Sequence, residues 1–276
     1  PKVENHKIVK FIDSPREISH MMIEEFMLAA NISAAELCLK HKIPSVFRVH
    51  PKPDILKIKT LEKFLRSRKI NASLDDGSDI KKLTSLAEIA KDRKDKSIIH
   101  SQILYSMSLA TYEADVAIHY ALNYSNYSHF TSPIRRYPDL IVHRMIIAKL
   151  NKLNYEIEDL DDLLMHCSER ERSSEFASKQ VQQNMLCSYA ANFRGQIFDG
   201  FITGVKDFGV FVDMPKLYTS GLLHITELPK DNYKYNARDK ILSGKRRANT
   251  FCLGDKISVG IDNVMELEGK ISLFYV

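Results

Sequence analysis

Two adjacent arginines, Arg135 and Arg136, stand in a segment crowded with groups able to handle a phosphate. Ser128–Arg144 reads SHFTSPIRRYPDLIVHR and adds Arg144, His129 and His143 to the pair, with three hydroxyl residues, Phe130 and Tyr137. A guanidinium presents a planar fork of donors that grips a phosphate through two parallel hydrogen bonds, provided the backbone beneath it is stiff. Thr131-Ser132-Pro133 supplies that stiffness. Proline fixes φ and biases Ser132 away from helical geometry, and the hydroxyls can bond nearby backbone, so a turn is expected. A helix is expected to start near Pro138, with Leu140, Ile141, Ile147 and Leu150 in its apolar pattern. The same arginines have a second reading, as partners of carboxylates in a structural network.

The elements that must position this segment can be traced along the chain. Val3–Ile12 reads as a strand. Ser14 reads as an N-cap, Pro15 as the first helical residue and Glu17 as the return partner of a capping box. That helix runs to about His41, ahead of Pro44, with Met21, Met22, Met27 and Leu28 expected in the core. Ser45–His50 alternates Val46, Arg48 and His50 against Phe47 and Val49, as a short strand would. Leu56–Arg68 repeats Leu56, Ile58, Leu61, Phe64 and Leu65 at helical spacing. Its cations Lys57, Lys59, Lys63, Arg66 and Arg68, with Lys69 beyond, form either a solvated face or an RNA contact. Asn71–Asp79 is loop-like. Further helices are expected at Ile80–Lys91, Ile98–Thr111 and Leu160–Asn192, and a strand at Val116–Leu122.

The pattern changes at Phe193-Arg194-Gly195. Beyond it glycine is frequent and short alternating runs appear. Gln196–Val205, Phe208–Met214 and Gly221–Ile225 read as strands, and Lys256–Val264 with Lys270–Phe274 would close a small barrel. Strand alternation puts residues 209 and 211 on one face and 208 and 210 on the other, unless a bulge intervenes at Gly209.

A chain of 276 residues that is 44% apolar can hold one large domain and a small one, and is not a disordered polymer. The net charge of +5 suits a polyanion but is weak evidence on its own. No run of about eighteen apolar residues is present, so no membrane span is expected. Nothing in the first residues reads as a signal peptide, so none is expected. Cys38, Cys167, Cys187 and Cys252 are scattered, without CxxC or zinc spacing, as free thiols of a cytoplasmic protein would be.

The run from Tyr127 to Arg144 resembles, at nearly every residue, the signature of the ribonuclease II/R family of exoribonucleases, and looks closest to its ribonuclease R branch. Other pieces agree in order: Ile23-Glu24-Glu25-Phe26-Met27-Leu28-Ala29-Ala30-Asn31, then Phe47-Arg48-Val49-His50 before Pro51 and Pro53, then His119 with Ala121-Leu122. Gly200-Phe201-Ile202, Phe208-Gly209-Val210-Phe211-Val212 and Gly221-Leu222-Leu223-His224-Ile225 resemble an RNA-binding OB fold of the ribosomal-protein type. The resemblance implies an α+β chain. Residues 1–193 would be the C-terminal portion of a mixed catalytic (RNB) domain with several helices, and residues 194–276 a small all-β OB-fold barrel.

It further implies a processive 3′-to-5′ hydrolase of single-stranded RNA that releases nucleoside 5′-monophosphates with the help of Mg2+. Arg135 would hold the scissile phosphate. Arg136, Tyr137, His143 and Arg144 would support the loop or the RNA track, and Asp139 would orient an arginine. On the barrel, Phe208, Phe211 and His224 would meet bases, and Lys270 falls where the family often has an arginine. Glu175 lies near a family position tied to the terminal nucleotide, but the match there is poor and the role is not carried over.

The family's metal-binding aspartates lie upstream of its arginine signature. Asp75-Asp76-Gly77-Ser78-Asp79 lacks that context, and Asp159-Leu160-Asp161-Asp162 follows the signature. With Pro1 rather than Met at its start, the chain is therefore expected to be a C-terminal portion. The upstream catalytic half and a pair of cold-shock-type barrels would be missing, and the portion would be inactive alone. A non-catalytic RNA-binding protein that kept the fold is the alternative. Expected partners are single-stranded RNA and the upstream part of the same enzyme; an RNA helicase or ribosome-associated factors are further candidates.

Overall fold

The computed structural model describes residues 1–276 except 5–6, 13–14, 94, 237–239 and 246–248. The chain is α+β and divides into two compact units, residues 15–173 and residues 1–14 with 174–276. The N-terminal strand expected over Val3–Ile12 is two short antiparallel strands, β1 (Lys2–Glu4) and β2 (Lys7–Lys10).

In the unit of residues 15–173, α1 (Ile18–Lys40) starts later than its sequence signals suggest. Glu17 is the N-cap, its N–H donating to His20 Nδ1 at 3.3 Å, and Pro15 precedes the helix. The expected cap Ser14 lies outside the described residues. Every residue from Ile18 to Met27 is exposed. Met21, Met22 and Met27 are thus not core, and α1 buries only Asn31, Ala34, Ala35 and Cys38. Periodicity reports that apolar residues repeat, not that a neighbour covers them.

β3 (Phe47–Val49) leads to α2 (Ile55–Ser67), capped by the Asp54 carboxylate, which accepts the Leu56 N–H at 2.7 Å. Helices α3 (Ile80–Ile89) and α4 (Lys96–Ser106) follow. Ile58, Leu61 and Leu65 of α2 pack with Leu83 and Leu86 of α3 and Ile99 and Ile103 of α4 in one core. Each such side chain contributes about 1.5–3 kcal/mol on burial.

β4 (Thr111–Glu113) pairs antiparallel with β3. The strand expected at Val116–Leu122 does not form. Val116 and Ile118 are exposed, and the segment ends in a tight turn over Tyr120–Leu122, held by single bridges from His119 to His50 and to Tyr124. With only one bonded position on each side, no ladder can propagate.

α5 (Tyr137–Leu150) begins beside Pro138, as expected, and buries Ile141, Val142, Met145, Ile146 and Ala148. Ile147 and Leu150, expected on that face, are exposed; the face follows the i, i+3, i+4 row through 142, 145 and 146. Leu164 of α6 (Leu160–Ala190) joins this second core with Cys38, Val46 and Tyr112.

In the other unit a closed barrel has the order β11-β12-β7-β6-β5, with β5 pairing β11. Its strands are β5 (Ile197–Lys206), β6 (Gly209–Met214), β7 (Thr219–His224), β11 (Lys256–Met265) and β12 (Lys270–Tyr275). Alternation sends Val210, Val212, Leu223, Ile261 and Leu273 inward. Between β7 and β11 the sequence reading missed a three-stranded sheet of β8 (Tyr233–Asn236), β9 (Ile241–Gly244) and β10 (Thr250–Cys252). Cys187 and Ala190 of α6 belong to the barrel's core. The division between units therefore falls inside α6, ahead of the composition change at Phe193.

Candidate nucleic-acid interface

The arginine signature is a turn clamped from below. Arg136 N–H bonds back to the Ser132 carbonyl at 3.0 Å and Arg135 N–H to the same oxygen at 3.3 Å. Asp139, fully buried in the first turn of α5, accepts the Ser132 N–H and Arg136 Nη2 through one oxygen, each at 2.8 Å. On the other side Asn31 of α1 spends its whole amide on the loop. Its oxygen accepts the N–H groups of Phe130 (2.9 Å) and Thr131 (3.2 Å), and its nitrogen donates to the Tyr127 hydroxyl at 2.8 Å. Ser128, also fully buried, donates to the Val46 carbonyl. His143 stacks on Phe130 at 4.0 Å between ring centres and bonds that residue's carbonyl at 2.8 Å.

The predicted residues thus separate into supports and a free cation. Arg136 and His143 are committed inward. Tyr137 is exposed at the start of α5, and exposed Arg144 shares hydrogen bonds with Tyr155 and Tyr137 that hold its guanidinium firmly charged. Arg135 is exposed at the tip beside Ile134, and among the described residues nothing forms a hydrogen bond or ion pair with its guanidinium. A charged fork on a clamped turn is equipped to bind one phosphate group.

Behind the turn lies a packed series of rings. His50 meets His119, His119 meets Tyr127, Tyr127 meets His129, and His129 meets Tyr112, with centroids 5.3–5.7 Å apart. Arg48 closes the series. Its guanidinium sits 4.5 Å over the Tyr112 ring and donates to Glu171 at 2.7 Å. Burial, with help from Arg136 and Arg48, pushes His129 down to about 3, and burial with His50 and Arg48 pushes His119 down to about 4. Burial also lowers His50 and raises Tyr112 to about 12. At neutral pH His119 and His129 are uncharged, so they wall the turn and do not supply cations.

Asn31, Arg48, Tyr112 and Glu171 received no role from the sequence, and His129, counted there among the phosphate-handling groups, lies in the ring series behind the turn. Asn31 had one readable signal, a polar amide closing the apolar run Phe26–Ala30; Glu171, in a charge-rich helix, had none.

The aspartates of the 75–79 run are engaged locally. Asp75 pairs with Lys82, Asp76 with Lys52 at 3.3 Å, and Asp79 caps α3 by accepting the Lys81 N–H at 2.9 Å. Hydrogen bonds from Ser78 and Lys52 hold Asp76 down to about 2. Asp161 and Asp162 lie in the first turn of α6, and Glu175 pairs with Lys179 at 2.5 Å. Among the described residues no three His, Cys, Asp or Glu side chains stand close enough to hold a metal ion.

On the barrel, Phe208 and Phe211 come together despite strand alternation, their rings 6.1 Å apart and edge to face. The reason is Gly209, at φ +150°, where a side chain would run into the Leu223 carbonyl. That backbone swings Phe208, in the hairpin ahead of β6, to the outer face beside Phe211. His224 lies opposite Gly209 and is exposed, its Nδ1 2.9 Å from the Thr226 hydroxyl. Lys270 is exposed on β12 and paired with Glu268 at 2.8 Å. It sits two residues before Ser272, which opposes Leu222, the partner of Phe211. Phe208, Phe211 and His224 thus form one cluster, with Lys270 further along the same outer face.

Comparison with known proteins agrees with both halves. Residues 1–152 match the RNB domain and residues 192–275 match the S1 RNA binding domain. Ribonuclease R of Buchnera aphidicola subsp. Schizaphis graminum is 36% identical over 279 residues, covering 98% of the chain and 38% of that protein. Ribonuclease R of Escherichia coli K12 is 33% identical over 278 residues, covering 96% of the chain and 34% of that protein. The chain thus spans little more than a third of these relatives' length. Mycoplasma genitalium RNase R in complex with ribose methylated single-stranded RNA superposes with a TM-score of 0.88. At 23% identity, covering 99% of the chain and 44% of that structure, this likeness concerns the fold. With the RNB match extending over more than half of its residues, the chain belongs to the ribonuclease II/R family.

Proposed function

We propose that this chain is the arginine-signature and RNA-binding portion of a ribonuclease R-like exoribonuclease. The enzyme degrades single-stranded RNA processively from 3′ to 5′, by metal-assisted hydrolysis, to nucleoside 5′-monophosphates in the cytoplasm. Residues 1–193 carry the catalytic-domain portion, the end of α6 also packing into the barrel core, and residues 194–276 are the RNA-binding barrel. The observation that carries the reading is Arg135: an exposed guanidinium without a partner among the described residues, on a turn fixed by the buried Asn31, Ser128 and Asp139.

In this reading Arg135 donates to the non-bridging oxygens of the scissile phosphate and stabilises the charge that grows there. Arg136, Asp139 and His143 keep the turn in place, so no reorganisation is needed as that charge develops. Arg144 and Tyr137 border the RNA, and Phe208, Phe211 and His224 stack bases with Lys270 near a phosphate. Magnesium would be held in the complete enzyme, where it would lower the pKa of the attacking water and offset charge on the phosphate.

The test is single-turnover cleavage by the full-length protein carrying Arg135→Ala or Arg135→Lys. Losing a donor aimed at developing charge costs about 10²–10³ in rate. Binding should change little, because many phosphate contacts share it. Lysine should rescue only part, since an ammonium lacks the planar fork. An unchanged rate removes Arg135 from the mechanism. Tight RNA binding without cleavage by the unmutated full-length protein favours the non-catalytic reading.

A further inference from the structure

The barrel unit holds a cleft of about 750 Å³ where the turn after β7 meets β8. Thr226 and Lys230 line it from the turn, Asn232 and Tyr233 from the start of β8, and Lys245 from just beyond β9. Its frame is well tied. Lys245 N–H bonds the Asn232 carbonyl at 3.1 Å, and the Tyr233 hydroxyl donates to the Pro229 carbonyl at 2.7 Å. The Tyr233 ring packs against Phe251 at 5.9 Å. Lys230 and Lys245 are exposed, and no carboxylate among the described residues forms an ion pair with either. Among the described lining residues Asp231 is the carboxylate, and it accepts the Asn232 N–H at 2.6 Å among its contacts.

Two cations against one carboxylate among the described lining residues, with an amide, a hydroxyl and an aromatic wall, in a volume within the usual range for ligand sites, suit a phosphodiester segment with one base. The position selects the source. Thr226, on the cleft's rim, is 2.9 Å from His224 Nδ1, so the cleft begins where the Phe208–Phe211–His224 cluster ends. We propose that this cleft binds a second stretch of the same single-stranded RNA that stacks on that cluster, lengthening the barrel's footprint through Lys230 and Lys245. The proposal rests on the RNA-binding reading of the barrel.

The experiment measures binding of fluorescent single-stranded RNA to the whole chain at several salt concentrations. The probes are oligonucleotides of about four and about twelve nucleotides, spanning the site sizes of OB folds. Lys230→Gln/Lys245→Gln should weaken the longer RNA about tenfold near physiological salt and reduce its salt slope by about 1.4, two phosphate contacts' worth. The shorter RNA should bind as before, and both changed residues are exposed, so melting should not move. Phe211→Ala should weaken both lengths. Unchanged affinity and slope for the longer RNA, with Phe211→Ala still harmful, overturn the cleft and leave the barrel reading intact. Equal losses for both lengths also overturn it, since a diffuse field would act that way. Capture of poly-glutamate through the lysines with RNA binding unchanged assigns the cleft to acidic peptides and overturns it. Failure of the unmutated chain to bind either RNA overturns the barrel reading and the proposal together.

Discussion

Replacing Asp139 with asparagine tests whether the arginine turn is held from beneath. The fully buried carboxylate receives Ser132 N–H and Arg136 Nη2 at 2.8 Å each. Asparagine keeps the shape and one acceptor but removes the charge that strengthens both bonds. Hydrogen bonds to a charged group are worth about 1.5–3 kcal/mol each, and breaking a buried pair from one side costs about 3–5 kcal/mol. Two features favour the lower end. The Arg136 side chain is 22% exposed, so water softens its loss. The pair is also one-pronged, with Asp139 Oδ1 and Arg136 Nε unsatisfied among the described residues. About 3 kcal/mol is therefore expected. In urea that shifts the midpoint by about 1–3 M for slopes of about 1–3 kcal/mol/M. Hydrogen exchange at the Ser132 amide should speed up in parallel. Adding Arg136→Met should recover much of the loss, because the stranded charge is then gone. A loss under about 1 kcal/mol with the Ser132 amide still protected would show that Asn31 and Pro133 hold the turn without Asp139.

Stability should fall in acid through His129. The unfolded imidazole titrates near 6.5 and the folded one near 3, so its contribution is full above 6.5 and is lost as the pH falls towards 3. Each pH unit below 6.5 costs about 1.4 kcal/mol, or about 2 kcal/mol at pH 5. His129→Gln should flatten that part of the urea-midpoint profile between pH 4 and 7, and an unchanged slope would count against it. Gly209→Ala should destabilise the barrel by about 1–3 kcal/mol from backbone strain alone, more if the Leu223 carbonyl cannot yield; a melting curve unmoved from wild type would contradict this. RNA binding by the chain should weaken with salt by about 0.7 log units per log unit of salt for each phosphate contacted, and a flat response would argue against a polyanion ligand.

Local chemistry explains what could be read in advance. Proline at 133 and 138 restricts the backbone whatever surrounds it, so the turn and the start of α5 were visible in the residues themselves. Alternation with turn residues did the same for β5, β6, β7, β11 and β12, since a two-residue period has one satisfactory solution once one face is buried. The strands β8–β10 escaped because their short polar-rich runs resemble loop sequence; their partners are chosen by packing beside the barrel.

The sequence by itself determined the turn at Pro133 and the barrel strands, because these depend on residue type and short spacing; Arg135 was singled out from Arg136 only by the resemblance to the family. Only the tertiary structure decided which groups clamp the turn. Asn31 and Phe130 are about a hundred positions apart, and Arg48 and Glu171 further still, a separation at which sequence carries no geometric information. Tertiary structure also decided that Arg136 is spent on Asp139 while Arg135 stays exposed. Two identical side chains in succession differ in role only because the turn directs one to a buried carboxylate and the other to solvent.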